Sequence, residues 1–239
     1  MSCNPPEPIA IVGSGCHFAG KTDSPSALWK LLLEPRDVRS TIPESRFNAD
    51  GWYHPDGSYH GRCNVKKSYL LDQDVNAFDT EFFGMTPVEA KATDPQQRLL
   101  METVYEAVEA AGMTLQGLKG SDTGVYVGVM WCDYESNLFR DLHTVPKYSV
   151  IGTGRSSISS RLSYFFDWHG PSVTLDTACS SSLVALHLAV QALRAGDSRM
   201  AVACGTNVIV GPENYVTMSK LQLLSPDGLS RMWDRDANG

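Results

Sequence analysis

No run of apolar residues in this sequence reaches the roughly 18 residues that a helix needs to cross a bilayer. The N-terminus, MSCNPPEPIA, lacks the basic and then apolar pattern of a secretion signal. Clustered lysine and arginine are also missing, and the net charge is −7 with a pI near 5.3. These absences argue against a membrane segment, and against nucleic acid or an anionic membrane as the main partner.

The cysteines form neither a CxxC pair nor a zinc-binding pattern with histidine. Six are scattered through the chain, at Cys3, Cys16, Cys63, Cys132, Cys179 and Cys204. We therefore expect reduced thiols in the cytosol and no metal site. With 42% hydrophobic and 20% charged residues over 239 positions, the composition is that of one sizeable α/β core.

The most informative stretch is LDTACSSSLVALHLAVQAL, residues 175–193. Residues 171–177, which overlap the start of this stretch, contain three β-branched side chains and predict a short buried strand. Further on, apolar side chains at positions 183–193 spread all round a helical wheel, which predicts a helix buried on every side. Cys179 therefore falls at a turn between a strand and a helix.

A cysteine at the start of a helix has distinctive chemistry. The unpaired N–H groups of the first turn and the positive end of the helix dipole favour a thiolate over a thiol, and the same N–H groups can stabilise an oxyanion. Ser180, Ser181 and Ser182 follow Cys179, with small side chains that let a substrate approach the backbone and hydroxyls that suit a helix start. Spacing alone leaves a second interpretation open, in which Cys179 is a small buried packing residue.

The first part of the chain predicts a strand and then a helix. Residues 8–13 are an apolar run typical of a first strand. The Gly-Ser-Gly that closes this run lacks the third glycine of a dinucleotide-binding loop, because Phe18 stands in its place. Ser24 as a cap and Pro25 at the first position predict a surface helix over residues 24–33.

The middle and end of the chain add one helix and two strands to the prediction. Asp94 as a cap, followed by proline, predicts a helix through residue 111. Residues 123–129 and 200–210 predict buried strands, with Cys204 as a packing residue in the second. Strands that alternate with helices indicate the α/β class.

The stretch around Cys179 resembles the active-site segment of polyketide synthase β-ketoacyl synthases. The resemblance rests on DTACSSS at residues 176–182, with GPS before it and LVALHLAVQALRAG after it. DPQQRLLMETVYEAVEAAG, from Asp94, and the TG…SYFFD…GPS run, from Thr153, also resemble this family. The wording YHPDG, from Tyr53, is similar to fungal highly reducing iterative type I enzymes.

The resemblance implies a thiolase-like, layered α-β-α-β-α fold, with residues 1–239 as the N-terminal portion of one condensing domain and no second domain visible. It implies that Cys179 is catalytic and accepts an acyl chain as a thioester, before a decarboxylative Claisen condensation with malonyl-acyl carrier protein extends a polyketide. The implied partners are the acyl carrier protein, whose phosphopantetheine carries the substrates, and a second copy in a homodimer that pairs at residues 173–177. No cofactor is expected in this segment itself, and the location is expected to be cytoplasmic.

The sequence departs from the family in its histidines. The family's HGTGT and NxGH motifs and its catalytic lysine are expected beyond residue 239, and His187 is expected to be a core residue of the helix. Three hypotheses therefore stay open: part of a chain-extending synthase, a truncated and catalytically silent remnant, and another cysteine acyltransferase of the thiolase type. Neither the GxCxG nor the CGSCW pattern of a hydrolase occurs.

Overall fold

The computed structural model describes residues 7–239, which form two compact units. Unit 1 contains residues 7–15 and 76–208, and unit 2 contains residues 16–75 and 209–239. Cys3 and the first part of the N-terminus, where we expect no secretion signal, lie outside the described residues. Helices and strands alternate, so that the predicted α/β class is confirmed.

The element bounds are as follows. The helices are α1 (Pro25–Leu33), α2 (Ala49–Trp52), α3 (Pro87–Ala92), α4 (Pro95–Ala110), α5 (Leu115–Leu118), α6 (Asp133–Leu138), α7 (Ser149–Thr153), α8 (Arg155–Phe166), α9 (Ser181–Ala195) and α10 (Glu213–Lys220), with a 3₁₀ turn at Leu142–Thr144. The strands are β1 (Ser40–Thr41), β2 (Lys67–Ser68), β3 (Gly124–Val129), β4 (Ser172–Leu175) and β5 (Ala201–Thr206).

Unit 1 is built on a parallel sheet in the order β4-β3-β5. Its central strand, β3, is buried along its whole length. Alternate side chains of a strand face opposite sides of the sheet. Val125, Val127 and Val129 pack with α4 and α8, whereas Tyr126 packs with the alanines of α9. The sheet therefore lies between two helical layers.

Helix α4 forms where the sequence predicts it. The Asp94 side chain accepts a hydrogen bond from the Gln96 N–H at 2.8 Å and caps the helix, and Pro95 occupies its first position. Leu100, Met101 and Val104 are among the buried residues that α4 contributes to the core. This confirms the predicted cap.

Residues 8–13 do not form the predicted strand. Within the described chain no strand pairs with them, and the Ile11 side chain is 86% exposed. Gly13 and Gly15 instead lie directly against α4, where an added Cβ at Gly13 would come within 2.2 Å of the Ala107 carbonyl oxygen. Because these two glycines have no side chain, the segment can pack closely against α4.

The expected burial of β4 and α9 is wrong for this chain. Both elements form, but β4 is an edge strand and its Val173 side chain is 37% exposed. Helix α9 buries one face, through Ser181 and its alanines, and leaves Leu183 and Leu186 at 69% and 44% exposure. An apolar side chain is buried only where another element covers it, and the described residues place the sheet against one face of α9.

Strand β5 confirms the predicted position but is half-exposed rather than buried. Helix α1 also forms with its Ser24 cap, although it has no fully buried side chain and Leu32 is 63% exposed. No helix in residues 7–239 combines the length and apolar character needed to cross a bilayer.

Unit 2 has a core of its own, which the single predicted core did not foresee. Phe47, Cys63 and Tyr215 belong to its buried cluster. Tyr215 comes from α10, a helix that the sequence analysis did not predict. A hydrogen bond of 2.9 Å from the Ser219 hydroxyl to the Asn64 side chain joins α10 to the loop before β2.

Candidate active site

Cys179 lies in the turn between β4 and α9, where the sequence places it. Its side chain is exposed, whereas the other described cysteines are half-buried or buried. Helix α9 begins two residues later and runs for 15 residues. The thiol therefore stands next to the positive end of a long helix dipole and in contact with solvent.

The backbone of this turn is strained immediately before Cys179. Ala178 has a φ of 59°, in the left-handed region that residues with a Cβ avoid. Its N–H donates to Asp176 Oδ1 at 2.9 Å, and its carbonyl oxygen accepts from the Ser181 hydroxyl at 2.6 Å. Two side chains therefore hold the turn from both ends.

The serines after Cys179 do more than fit a helix start. The Ser180 hydroxyl does not cap α9, because it donates back to the Thr177 carbonyl oxygen at 2.7 Å. Ser181 is buried, and its hydroxyl also accepts from the Thr177 N–H at 2.8 Å. No side-chain cap occupies the N–H groups of the first turn of α9, and N–H groups of this kind can donate to a developing oxyanion.

Two glycines of the sheet let α9 begin directly on the strands. Gly128 of β3 and Gly205 of β5 are partners in the parallel register. A Cβ on Gly128 would lie 2.4 Å from the Ser181 carbonyl carbon, and one on Gly205 would lie 2.5 Å from the Ser182 Cβ. The first turn of α9 thus occupies the space that side chains at these two positions would fill. This contact fixes the position of the neighbouring Cys179 relative to the sheet.

Three other cysteines, Cys63, Cys132 and Cys204, have environments that suppress the thiolate. Burial raises the pKa of Cys204 to about 12, and burial also raises the pKa of Cys63. The pKa of Cys132 is raised, chiefly by burial and then by the nearby Asp94 carboxylate. Cys204 lies within β5 and packs against the core, as the sequence analysis expected.

The histidine nearest to Cys179 in sequence is His187. It lies on α9 six residues beyond Ser181, the first residue of the helix, which corresponds to about 9 Å along the helix axis. Its side chain is exposed, so the expected core role is wrong for this chain. Elsewhere His17 bonds to Gln73, and His169 pairs with Asp167. Among the described residues no group of histidine, cysteine and carboxylate side chains could hold a metal ion.

A separate cavity of about 220 Å³ lies in unit 1 beside α3 and α4. Lys91, Arg98 and Tyr134 line part of it. Arg98 donates to the carbonyl oxygens of Thr93 and Asn76 at 3.2 and 3.0 Å, so it holds two loop segments of unit 1 together. None of the lining residues belongs to the turn around Cys179.

The sequence analysis found Cys179 but not the residues that hold it. Asp176 holds the turn by a hydrogen bond, and Gly128 and Gly205 leave the space into which the first turn of α9 fits. Arg155 Nη1 lies 2.8 Å from Asp176 Oδ2, although the two residues are 21 positions apart in sequence. An Asp two residues before a small residue is a signal for the turn, since such side chains bond to the backbone two residues on. Arg155, the partner of Asp176 on α8, has no comparable signal in its neighbouring sequence.

Comparisons with known proteins identify the family of this chain. A family model described as the N-terminal domain of β-ketoacyl synthases matches residues 6–239. A highly reducing polyketide synthase of Penicillium decumbens is 66% identical over 233 residues, which cover 98% of this chain and 8% of that protein. A lovastatin nonaketide synthase of Monascus pilosus is 60% identical over 239 residues, 100% of this chain and 8% of that protein.

Solved structures give the same assignment. The oxazolomycin ketosynthase domain of Streptomyces albus is 38% identical, with a TM-score of 0.87 over 96% of this chain and 39% of that one. The ketosynthase from module 6 of the Bacillus subtilis bacillaene synthase is 35% identical, with a TM-score of 0.84 over 96% and 37%. These neighbours confirm the predicted thiolase-like fold, and the chain belongs to the β-ketoacyl synthase family, as part of the N-terminal domain that the family model describes.

Proposed function

We propose that this chain is the N-terminal portion of the ketosynthase domain of a larger polyketide synthase, and that Cys179 is its nucleophile. The observation that carries the proposal is the exposed thiol in a strained turn at the start of α9, beside uncapped N–H groups. The chain spans about 8% of the length of the curated relatives named above, and these are highly reducing fungal synthases. Polyketide chain extension is therefore the reaction to test.

The proposed reaction has two steps. The Cys179 thiolate attacks the carbonyl carbon of an acyl thioester on the phosphopantetheine of an acyl carrier protein, the bond between that carbon and the carrier's sulfur breaks, and the carrier leaves as a thiolate. Malonyl-acyl carrier protein then loses CO₂, and the electron pair of the broken carbon–carbon bond forms a bond to the acyl carbon. The Cys179 thiolate leaves in this second step. N–H groups of the turn stabilise the oxyanion in both.

The described residues supply the nucleophile but not the group that stabilises the malonyl enolate. His187 is about 9 Å along the helix from the start of α9, too far for a hydrogen bond of about 3 Å. We propose that the stabilising donors belong to other parts of the synthase. This segment itself is proposed to need no cofactor, and a cytosolic location is proposed.

We also propose a homodimer that pairs at the open edge of β4. The described strands cover one edge of β4 only, since β3 pairs with it and no other strand does. Val173, at the centre of this edge, is 37% exposed. An exposed edge strand with free backbone groups is a template for pairing with a second chain.

The experiment uses the full-length gene product, purified acyl carrier protein with a radiolabelled acyl group, and malonyl-acyl carrier protein. We expect the label to map to the peptide that contains Cys179, and condensation to be lost in Cys179→Ala. The matched control is Cys204→Ala, which removes a thiol from the same unit and should keep condensation. Acyl label on Cys204 or Cys132, or condensation by Cys179→Ala, would refute the assignment. Acylation without condensation would instead favour the silent remnant.

A further inference from the structure

We propose that Arg155 is a positioning residue for Cys179, and that it acts through Asp176 to fix the turn that carries the thiol. The inference rests on the proposed function of Cys179. It assigns a role to an ion pair whose arginine lies outside the segment that contains Cys179.

The first step of the argument is the strained residue. Ala178 adopts its left-handed conformation directly before Cys179, so any relaxation of Ala178 changes the direction of the Cys179 side chain. The hydrogen bond from the Ala178 N–H to Asp176 Oδ1, at 2.9 Å, opposes this relaxation. The position of the thiol therefore depends on the orientation of one carboxylate.

The second step is the partner of that carboxylate. Arg155 Nη1 donates to Asp176 Oδ2 at 2.8 Å, so that each oxygen of Asp176 has its own donor. A carboxylate bonded at both oxygens has lost the rotation that a single bond allows. Arg155 thus locks the orientation that Ala178 requires.

The third step is that Arg155 has a rigid mount. It is the first residue of α8, and α8 is fixed to β4 by the Ser159 N–H, which donates to Thr174 Oγ1 at 3.2 Å. The Thr174 hydroxyl donates in turn to Ser159 Oγ at 2.9 Å. The strand that leads into the turn and the helix that carries the arginine are therefore tied together.

Two observations separate this role from plain stabilisation. A cation at the first position of a helix opposes the helix dipole, so Arg155 does not favour α8 itself. The side chains of Arg155 and Asp176 are 53% and 34% exposed, and exposed ion pairs contribute little to the free energy of unfolding. Loss of the pair should therefore alter the turn far more than the stability of the protein.

The experiment compares Arg155→Met, Arg155→Lys, Asp176→Asn and the double variant in the full-length gene product. The matched control is Arg199→Met, which breaks an exposed ion pair of the same unit, with Asp122 at 3.0 Å. The readouts are the second-order rate constant for acylation of Cys179 by acyl-acyl carrier protein, the rate of its alkylation by iodoacetamide, and the melting temperature.

We expect Arg155→Met to slow both reactions about tenfold without a change in melting temperature, since a side chain misplaced by a fraction of an ångström loses productive geometry. Arg155→Lys should restore most of the rate. The double variant Arg155→Met/Asp176→Asn should react no more slowly than the slower of its two single variants, because both changes remove the same contact. Arg199→Met should match the native protein.

An unchanged rate in Arg155→Met, or additive losses in the double variant, would overturn the proposal. If Arg155→Met fails to fold, Asp176→Asn decides, because it keeps an oxygen for the Ala178 N–H and replaces the oxygen that accepts from Arg155 with an amide NH2, which cannot accept. A native protein that alkylates but never acylates Cys179 would refute the proposed function alone, and the alkylation rates would still test the role of Arg155.

Discussion

The contact between the sheet glycines and α9 predicts a large effect of one added methyl group. In Gly128→Ala, the new Cβ would stand 2.4 Å from the Ser181 carbonyl carbon and 2.5 Å from the Ser182 N. Both are backbone atoms inside or at the start of a helix, so no side chain can rotate away. Restoring ordinary contact requires the first turn of α9 to move by about 1 Å.

This movement has a cost in stability and in the position of the thiol. Overpacking of this kind lowers the free energy of unfolding by about 2 kcal/mol, which corresponds to a loss of roughly 6 °C in Tm. Because Cys179 is attached to the turn, a displacement of about 1 Å should lower the condensation rate by about a hundredfold.

The assay measures Tm by circular dichroism and the acylation rate of Cys179 with the labelled carrier protein. The matched control is Gly51→Ala, where the nearest heavy atom lies 3.5 Å from the added Cβ and the residue is helical. The control should keep both values. A Gly128→Ala protein with native Tm and native acylation rate would show that α9 does not depend on this contact.

Three further changes test other parts of the structure. Burial raises the pKa of Asp94 to about 6, above about 3.9 in an unfolded chain, so its contribution to stability is full below pH 4 and is lost as the pH rises through 6. Between pH 4 and pH 7 the unfolding free energy of Asp94→Asn, measured in urea, should therefore rise by about 2 kcal/mol relative to that of the native chain. Parallel pH profiles of the two proteins would contradict this. Glu89→Ala removes the partner of Arg161, 2.6 Å away with both side chains at most 17% exposed, and should lower the unfolding free energy by about 2 kcal/mol in urea, whereas Asp122→Ala at the exposed pair should change it little. The Val125 N–H donates to the Pro171 carbonyl oxygen at 2.7 Å, so the N–H of Ser172, the next residue, points to the open edge of β4. Ser172→Pro removes this N–H and should shift the proposed dimer towards monomer in light scattering, with an unchanged circular dichroism spectrum. A dimer that stays intact in this variant would count against pairing at this edge.

Local signals in the sequence predicted the parts of the fold that depend on local chemistry. The Asp94 cap and its following proline fixed the start of α4, and the β-branched run fixed β3. The turn at Cys179 followed from a strand pattern and a helix pattern that meet there. These features are decided within a few residues of chain, so the sequence contains their cause.

The misjudged features depend on residues that are distant in sequence. Residues 8–13 have the side chains of a strand but no pairing strand among the described residues, and Leu183 of α9 has no cover there. An apolar pattern states what a segment can bury, whereas burial requires a partner surface. The ion pair of Arg155 with Asp176 was missed for the same reason, since only the folded chain brings the two together.

The paired glycines Gly128 and Gly205 leave one face of two neighbouring strands without side chains. Gly128 is buried beneath the first turn of α9, so any opening of that turn admits water to this part of β3. Hydrogen exchange at the Gly128 amide therefore monitors the position of the turn around Cys179. Its exchange rate, measured by NMR or mass spectrometry before and after acylation, reports how often that turn opens.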